Sequence, residues 1–261
     1  MNVNQAKASI RSSGSVFRKT KTKLNKFDFA MDDHVALVTM KDGDNLINPD
    51  FIHEAISLLD YVENNTEAST LVFHSANPKI FTLGVDLDWM VKKLEEGKKE
   101  KIRKLFFDLD ELFVKILLYP MPTISVINGH VFGIGAVFSC TFDFRFMRSE
   151  RGYFCLPEVD LGIPLIPGMM AILSKVIPVT KLVELLYTGK RAAAEECLSS
   201  GIVMKTCPGE NLLNEAMNFG KTLNKKRSFI GEMKKRINRD IVRVIQDTDP
   251  TYIITGESFY S

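Results

Sequence analysis

The chain has 261 residues, 45% of them hydrophobic and 25% charged, with 16 Gly and 10 Pro. These proportions exclude collagen-like and disordered chains, and the length suffices for one large domain with a full core. The net charge of +2 hides two basic zones: residues 1–27 hold seven Lys/Arg and no acid, and residues 221–243 hold nine Lys/Arg against Glu232 and Asp240. The rest of the chain is acidic, which excludes a uniformly basic nucleic-acid binder.

In chain order, the first basic zone reads either as a surface tail or as a transit-like segment, being Ser-containing and acid-free. His34–Met40 is predicted to be a strand rich in β-branched residues. Asn48-Pro49 opens a helix to about Tyr61, with Ile52, Ala55, Ile56, Leu58 and Leu59 near helical spacing. Ser69–His74 is a second short strand, followed by a turn at Asn77-Pro78. Leu87 starts a helix interrupted near Gly97. Lys101–Leu118 is an amphipathic helix with Ile102, Leu105, Phe106, Leu109, Leu112, Phe113 and Ile116 on one face, ended by Pro120 and Pro122. Thr123–Ile127 is a third strand and Asp143–Met147 a fourth. From Pro167 the pattern is mainly helical, with breaks near Pro178, Gly189 and Gly201. Strands alternating with helices, then a helical last third, make an α/β chain.

Residues 122–142 carry no Asp, Glu, Lys or Arg and are long enough to cross a bilayer. Asn128-Gly129, Gly133 and Gly135 punctuate the run, so a buried strand, a turn and a buried helix are expected instead of a span. The four Cys (140, 155, 197, 207) form no CxxC, and a reducing compartment fits them. Cys140 and Cys155 lie in apolar runs and read as inert buried thiols. With four His and no HxxxH pair, no metal site is expected. A P-loop, a complete dinucleotide fingerprint and a GxSxG elbow are all missing.

Two glycine turns and one carboxylate remain. Leu83-Gly84-Val85-Asp86-Leu87 and Asn128–Gly135 each join a strand to a helix, where glycine lets backbone N–H groups point outward. Two such turns can aim two donors at one oxygen. For either turn taken alone, tight-turn geometry is the simpler explanation of its glycines. Glu158 lies among apolar residues after Pro157, and burial would raise its pKa toward that of a proton shuttle. The competing reading is a water-facing cap carboxylate, with Asp160 as the local rival.

Together, the three segments resemble the crotonase (enoyl-CoA hydratase/isomerase) family. PTISVINGHVFGIGAVFSCTFDFRF is similar to its P-x-I-x-x-I-x-G-x-x-x-G-x-G segment ending in D-x-R. IFTLGVDL resembles F-S-x-G-x-D-L, and FCLPEVDLGI resembles F-x-x-P-E-x-x-x-G. Val85 precedes Ile134 by 49 residues, and Ile134 precedes Glu158 by 24. The resemblance covers about residues 28–245. It implies a β-β-α spiral core over 28–190, a helical trimerisation region over 191–261, and acyl-coenzyme A thioester substrates with no separate cofactor. It also implies a homotrimer or a dimer of trimers. The implied oxyanion donors are the N–H groups of Val85 and Ile134. Leu83, Gly84, Val85, Asp86, Leu87 and Ile134 would line the bound substrate, and Glu158 would be the catalytic acid/base.

Hydratases of the family carry a second Glu three residues after the second donor, where this chain has Val137. A single Glu instead resembles Δ3,Δ2-enoyl-CoA isomerases, which shift a double bond through an enolate, a step of fatty acid β-oxidation. Ile134 stands where the family usually has Gly or Ser, and it keeps the N–H. The other reading is a crotonase-fold structural or assembly subunit with weak or no turnover. The basic zone around Lys234, Lys235 and Arg236 would either face water or meet the coenzyme A phosphates. The first basic zone, with a C-terminal sequence unlike a peroxisomal address, points to mitochondria, with peroxisomes as the alternative.

Overall fold

The computed structural model describes residues 24–256. The transit-like reading of residues 1–27 therefore falls almost wholly outside the described residues. At its end, Leu24 packs against the core and the N–H groups of Asn25 and Lys26 both donate to Glu54 Oε2 at 2.9 Å. Phe27 opens β1 (Phe27–Asp32) and is fully buried. Residues 24–27 thus belong to the folded body. The alternation in FDFAMD fits this strand; only its first residue, Phe27, falls within the basic zone, and no strand is expected from sequence over residues 28–32.

The main sheet has six strands in the order β1-β2-β3-β5-β7-β10. They are β1, β2 (Val35–Met40), β3 (Thr70–Ser75), β5 (Thr123–Ile127), β7 (Phe144–Arg148) and β10 (Lys205–Cys207). Only the β1–β2 pair is antiparallel. Central parallel strands are buried on both faces and read as continuous apolar runs; every residue of β5 is buried accordingly. Alternate residues split between two clusters. Ala36, Val38, Leu71 and Phe73 enter the large core, where α1 (Pro49–Asn65), α3 (Lys99–Leu117) and α4 (Ile134–Thr141) bury their apolar faces. Val35, Leu37, Val72, Ile124, Val126 and Phe146 pack beneath α9 (Gly209–Thr222) through Leu212, Ala216 and Met217.

A second sheet runs β4-β6-β8-β9, formed by β4 (Ile80–Thr82), β6 (His130–Phe132), β8 (Phe154–Cys155) and β9 (Arg191–Ala192). Its strands have only two or three residues, too short to show a period. So β6 lies inside what reads from sequence as a turn. The run 122–142 resolves into β5, β6 and α4, and no helix among the described residues is long and apolar enough to cross a membrane.

The remaining helices are α2 (Leu87–Glu95), α5 (Glu158–Leu161), α6 (Pro167–Val176), α7 (Val179–Thr188), α8 (Ala194–Ser199), α10 (Arg227–Ile237), α11 (Arg239–Asp247) and α12 (Asp249–Thr255). A boundary at residue 190 cuts through both sheets, because β9, β10 and α9 lie beyond it. The helical last third therefore completes the core as well as extending it. Leu182, Leu185 and Leu212 are buried there, while Val179, Val183 and Tyr187 leave one face of α7 exposed, as Phe229, Met233 and Ile237 do on α10.

Candidate active site

Residues 83–87 run from β4 into α2. Ile47 N donates to Gly84 O at 2.8 Å and Asp86 N donates to Ile47 O at 3.0 Å. Successive peptide groups of an extended segment point to opposite sides, so this pairing turns the Val85 N–H away from Ile47. That N–H has no acceptor among the described residues. Asp86 Oδ1 accepts from Trp89 N at 3.0 Å and caps α2, while its Oδ2 accepts from Asn48 Nδ2 at 3.1 Å. Asn48 Oδ1 in turn caps α1 by accepting from Phe51 N. Two helix N-termini are thereby tied to the segment that carries Val85. Leu83 is half-buried and Leu87 exposed.

The second segment enters α4. Gly133 has φ +56°, which a side-chain-bearing residue adopts only with strain. Its N–H donates to Cys155 O, and its carbonyl accepts from Ala136 and Val137. No side chain caps α4. The first N–H groups of a helix have no intrahelical acceptor, and those of Ile134 and Gly135 are without one among the described residues.

The two segments touch. A Cβ on Gly84, whose φ is +87°, would stand 2.7 Å from Phe132 O and 3.2 Å from Ile134 N. A Cβ on Gly135 would stand 2.6 Å from Thr82 Cγ2. Only glycine permits this approach.

Glu158 begins α5. Its carboxyl faces Gly133, where a Cβ would lie 3.3 Å from Oε1. Glu158 is 9% exposed, and its Oε2 is buried with no hydrogen-bond partner. Burial raises its pKa to about 7, as expected of a carboxyl whose charge would be poorly solvated. The rival Asp160 is exposed and lies against Gly189. The structure therefore brings Val85, Ile134 and Glu158 to adjoining segments, with one carboxyl able to hold or release a proton near neutral pH. Val137 is fully buried one turn further along α4. Ile134 is 7% exposed and its side chain packs into the large core, so the branched chain is part of the packing.

Ile47 and Asn48 are positioning residues that no sequence motif marks. Asn48 was visible only as a helix cap, and its link to Asp86 spans 38 residues. The second basic zone is partly structural. Lys234 is buried with its Nζ 2.8 Å from Asp143 Oδ2, and Arg227 donates to the carbonyls of Glu63, Thr66 and Ala68. Lys234 therefore does not face a ligand from water, whereas Lys235 and Arg236 are exposed. Cys140 and Cys155 are buried free thiols with pKa values raised by burial.

Two interlocked sheets, glycine-mediated contact between two loop-to-helix junctions and a carboxyl beside the second define a crotonase-type architecture. The family model described as enoyl-CoA hydratase/isomerase matches residues 30–249, and the chain belongs to this family, which acts on acyl-CoA thioesters. Enoyl-CoA delta isomerase 3 of Arabidopsis thaliana is 27% identical over 203 residues, covering 77% of this chain and 84% of the relative. The short-chain-enoyl-CoA hydratase of Clostridium acetobutylicum is 26% identical over 239 residues, covering 90% and 88%. An enoyl-CoA hydratase/isomerase family protein from Pseudomonas syringae superposes with TM-score 0.81 at 20% identity, covering 88% of this chain and 97% of that one.

Proposed function

We propose that the chain is a Δ3,Δ2-enoyl-CoA isomerase of fatty acid β-oxidation. The observation that carries this reading is the solitary buried Glu158 beside the N–H of Ile134, with Val137 where a second carboxylate would stand. In this reading the thioester oxygen accepts from Val85 N–H and Ile134 N–H. Each donor strengthens as the oxygen gains charge, and losing one typically costs about 10²–10³ in rate. Ionised Glu158 removes a proton from C2 of a 3-enoyl-CoA. The resulting dienolate spreads its charge to the oxygen. Glu158 then returns the proton to C4, leaving the 2-enoyl thioester. A carboxyl with pKa near 7 can serve both steps, because neither protonation state is strongly favoured. Leu83, Gly84, Asp86 and Leu87 border the thioester and coenzyme A portion, and no separate cofactor enters.

The exposed stripes on α7 and α10 support a homotrimer or a dimer of trimers. A mitochondrial location is part of the proposal, resting on the composition of residues 1–27. A second reading, a crotonase-fold assembly subunit with little turnover, draws on Ile134 at a position usually held by a small residue. Conjugation of a 3-enoyl-CoA raises ultraviolet absorbance, and this assay separates the two. Turnover that Glu158→Gln removes supports the isomerase; no turnover with any chain length supports the assembly subunit.

A further inference from the structure

The Val85 N–H and the Gly84 carbonyl belong to one peptide group. A peptide unit is planar and trans, so its C=O and N–H point in opposite directions. Ile47 N holds Gly84 O at 2.8 Å and thereby aims the Val85 N–H to the other side. The preceding peptide plane is held separately, because Gly84 N donates to Thr82 Oγ1 at 3.1 Å. Gly84, at φ +87°, lies between the two planes. Glycine has no Cβ to restrict rotation there, so these two hydrogen bonds fix the angle between the planes.

Thr82 is fully buried at the end of β4. Its hydroxyl donates to Asn45 O at 2.7 Å, which leaves the oxygen lone pairs to accept from Gly84. Asn45 is a firm anchor. It is fully buried, its side chain donates to Ser75 Oγ at 2.8 Å and to Phe81 O at 2.9 Å, and it accepts from Asp42 N at 3.1 Å. The methyl branch of Thr82 meets the other segment: a Cβ on Gly135 would stand 2.6 Å from Thr82 Cγ2 and 3.1 Å from both Thr82 O and Gly84 N. Gly135 follows Ile134, whose N–H is aimed outward because Gly133 O, on the same peptide group, accepts from Ala136 and Val137. One side chain therefore touches the segments that carry both free N–H groups.

We propose that Thr82 is a positioning residue that couples the two oxyanion donors. Its hydroxyl fixes the Gly84 turn, and its methyl sets that turn against the start of α4, so that the Val85 and Ile134 N–H groups converge on one thioester oxygen. The inference rests on the oxyanion reading of these two donors and is independent of which group moves the proton. Loss of the hydroxyl leaves the Gly84 N–H without its acceptor and lets the Val85 N–H swing away from the oxygen. Because the donors act most strongly on the charged transition state, the loss falls on kcat rather than on KM.

The test compares Thr82→Val, which keeps the Cγ2 contact and loses the hydroxyl, with Thr82→Ser, which keeps the hydroxyl. In Thr82→Val, kcat for a 3-enoyl-CoA should fall about tenfold to a hundredfold with KM within about twofold; Thr82→Ser should recover most of the loss. A second readout needs no turnover. Acetoacetyl-CoA ionises to an enolate that absorbs in the near ultraviolet. Saturating wild-type protein should raise its enolate fraction at fixed pH, Thr82→Ser nearly as much, and Thr82→Val hardly at all, while all three bind the compound. Should Thr82→Val fail to fold, residue-resolved hydrogen exchange of the wild-type protein decides: the Gly84 amide should exchange at least about tenfold more slowly than the Val85 amide. Wild-type kcat and enolate fraction in Thr82→Val, equal losses in the two variants, or a Gly84 amide exchanging as fast as that of Val85 would overturn the proposal. A wild-type protein without turnover that still shows the enolate pattern would uphold it while removing the isomerase reading.

Discussion

The carboxyl of Glu158 lies against the Cα of Gly133: a Cβ there would stand 3.3 Å from Oε1. The residue after Gly133 offers the free N–H of Ile134. A proton-exchanging group and a hydrogen-bond donor are thereby held side by side by two different segments. Gly133→Ala should disturb both. A side chain in the backbone conformation φ +56°, ψ −130° would cost about 1–3 kcal/mol, and the new methyl would press on Oε1. A fall in kcat larger than the rise in KM, with the fold intact by circular dichroism, is expected. Unchanged kcat would separate Glu158 from the chemistry.

Glu158→Gln should lower isomerisation by at least about 10²-fold while acyl-CoA binding persists, since general acid–base groups typically contribute 10²–10⁴. Calorimetric titration with a non-reactive acyl-CoA checks binding, and the absorbance assay checks turnover. Activity within about threefold of wild type would remove Glu158 from its role.

The pH profile follows from the same residue. Glu158 must be ionised to take the C2 proton, and burial places its pKa at about 7. The kcat/KM should therefore rise about tenfold per pH unit below 7 and level above it. A profile already flat from pH 5 would mean that an ordinary exposed carboxylate is responsible.

Hydration of a 2-enoyl-CoA should be negligible beside isomerisation. Val137 is fully buried in the core and has no group to orient or deprotonate water. Comparable rates of the two reactions, followed at the thioester absorbance, would show that another side chain handles water.

Asp249, the first residue of α12, accepts from Gly168 N at 2.8 Å and caps α6, which has no cap of its own. Asp110 on α3 is buried with an unpartnered Oδ1. Burial and then the charge of Asp249 raise the Asp110 pKa to about 8, and burial raises that of Asp249 to about 6. Both folded values exceed the ordinary 3.8, so the fold retains protons that the unfolded chain releases. Stability should be greatest at low pH as far as these groups are concerned, and should fall from about pH 4 until it levels near pH 8. Asp110→Asn should raise Tm at pH 8 by at least about 4 °C, given about 2–4 °C per kcal/mol at this size. It should change Tm little at pH 4. Equal shifts at both pH values would exclude the titration.

Much of the main sheet is legible in the sequence because its strands are buried on both faces. Thr123–Ile127 reads as an apolar run bounded by proline and Asn-Gly, and the structure places a strand on those same residues. The α3 helix is equally plain, since seven apolar residues recur at its helical period. The second sheet is not legible: strands of two or three residues, such as Phe154–Cys155, carry no period and exist only through pairing with distant partners. The family and the candidate site residues follow from glycine and carboxylate motifs, which record local backbone demands. Their meeting does not follow from them. Gly84 and Ile134 are 50 residues apart and touch because β4 and β6 pair. The raised pKa of Glu158 is likewise a property of the packing around it, for desolvation depends on which segments enclose the carboxyl and not on its sequence neighbours.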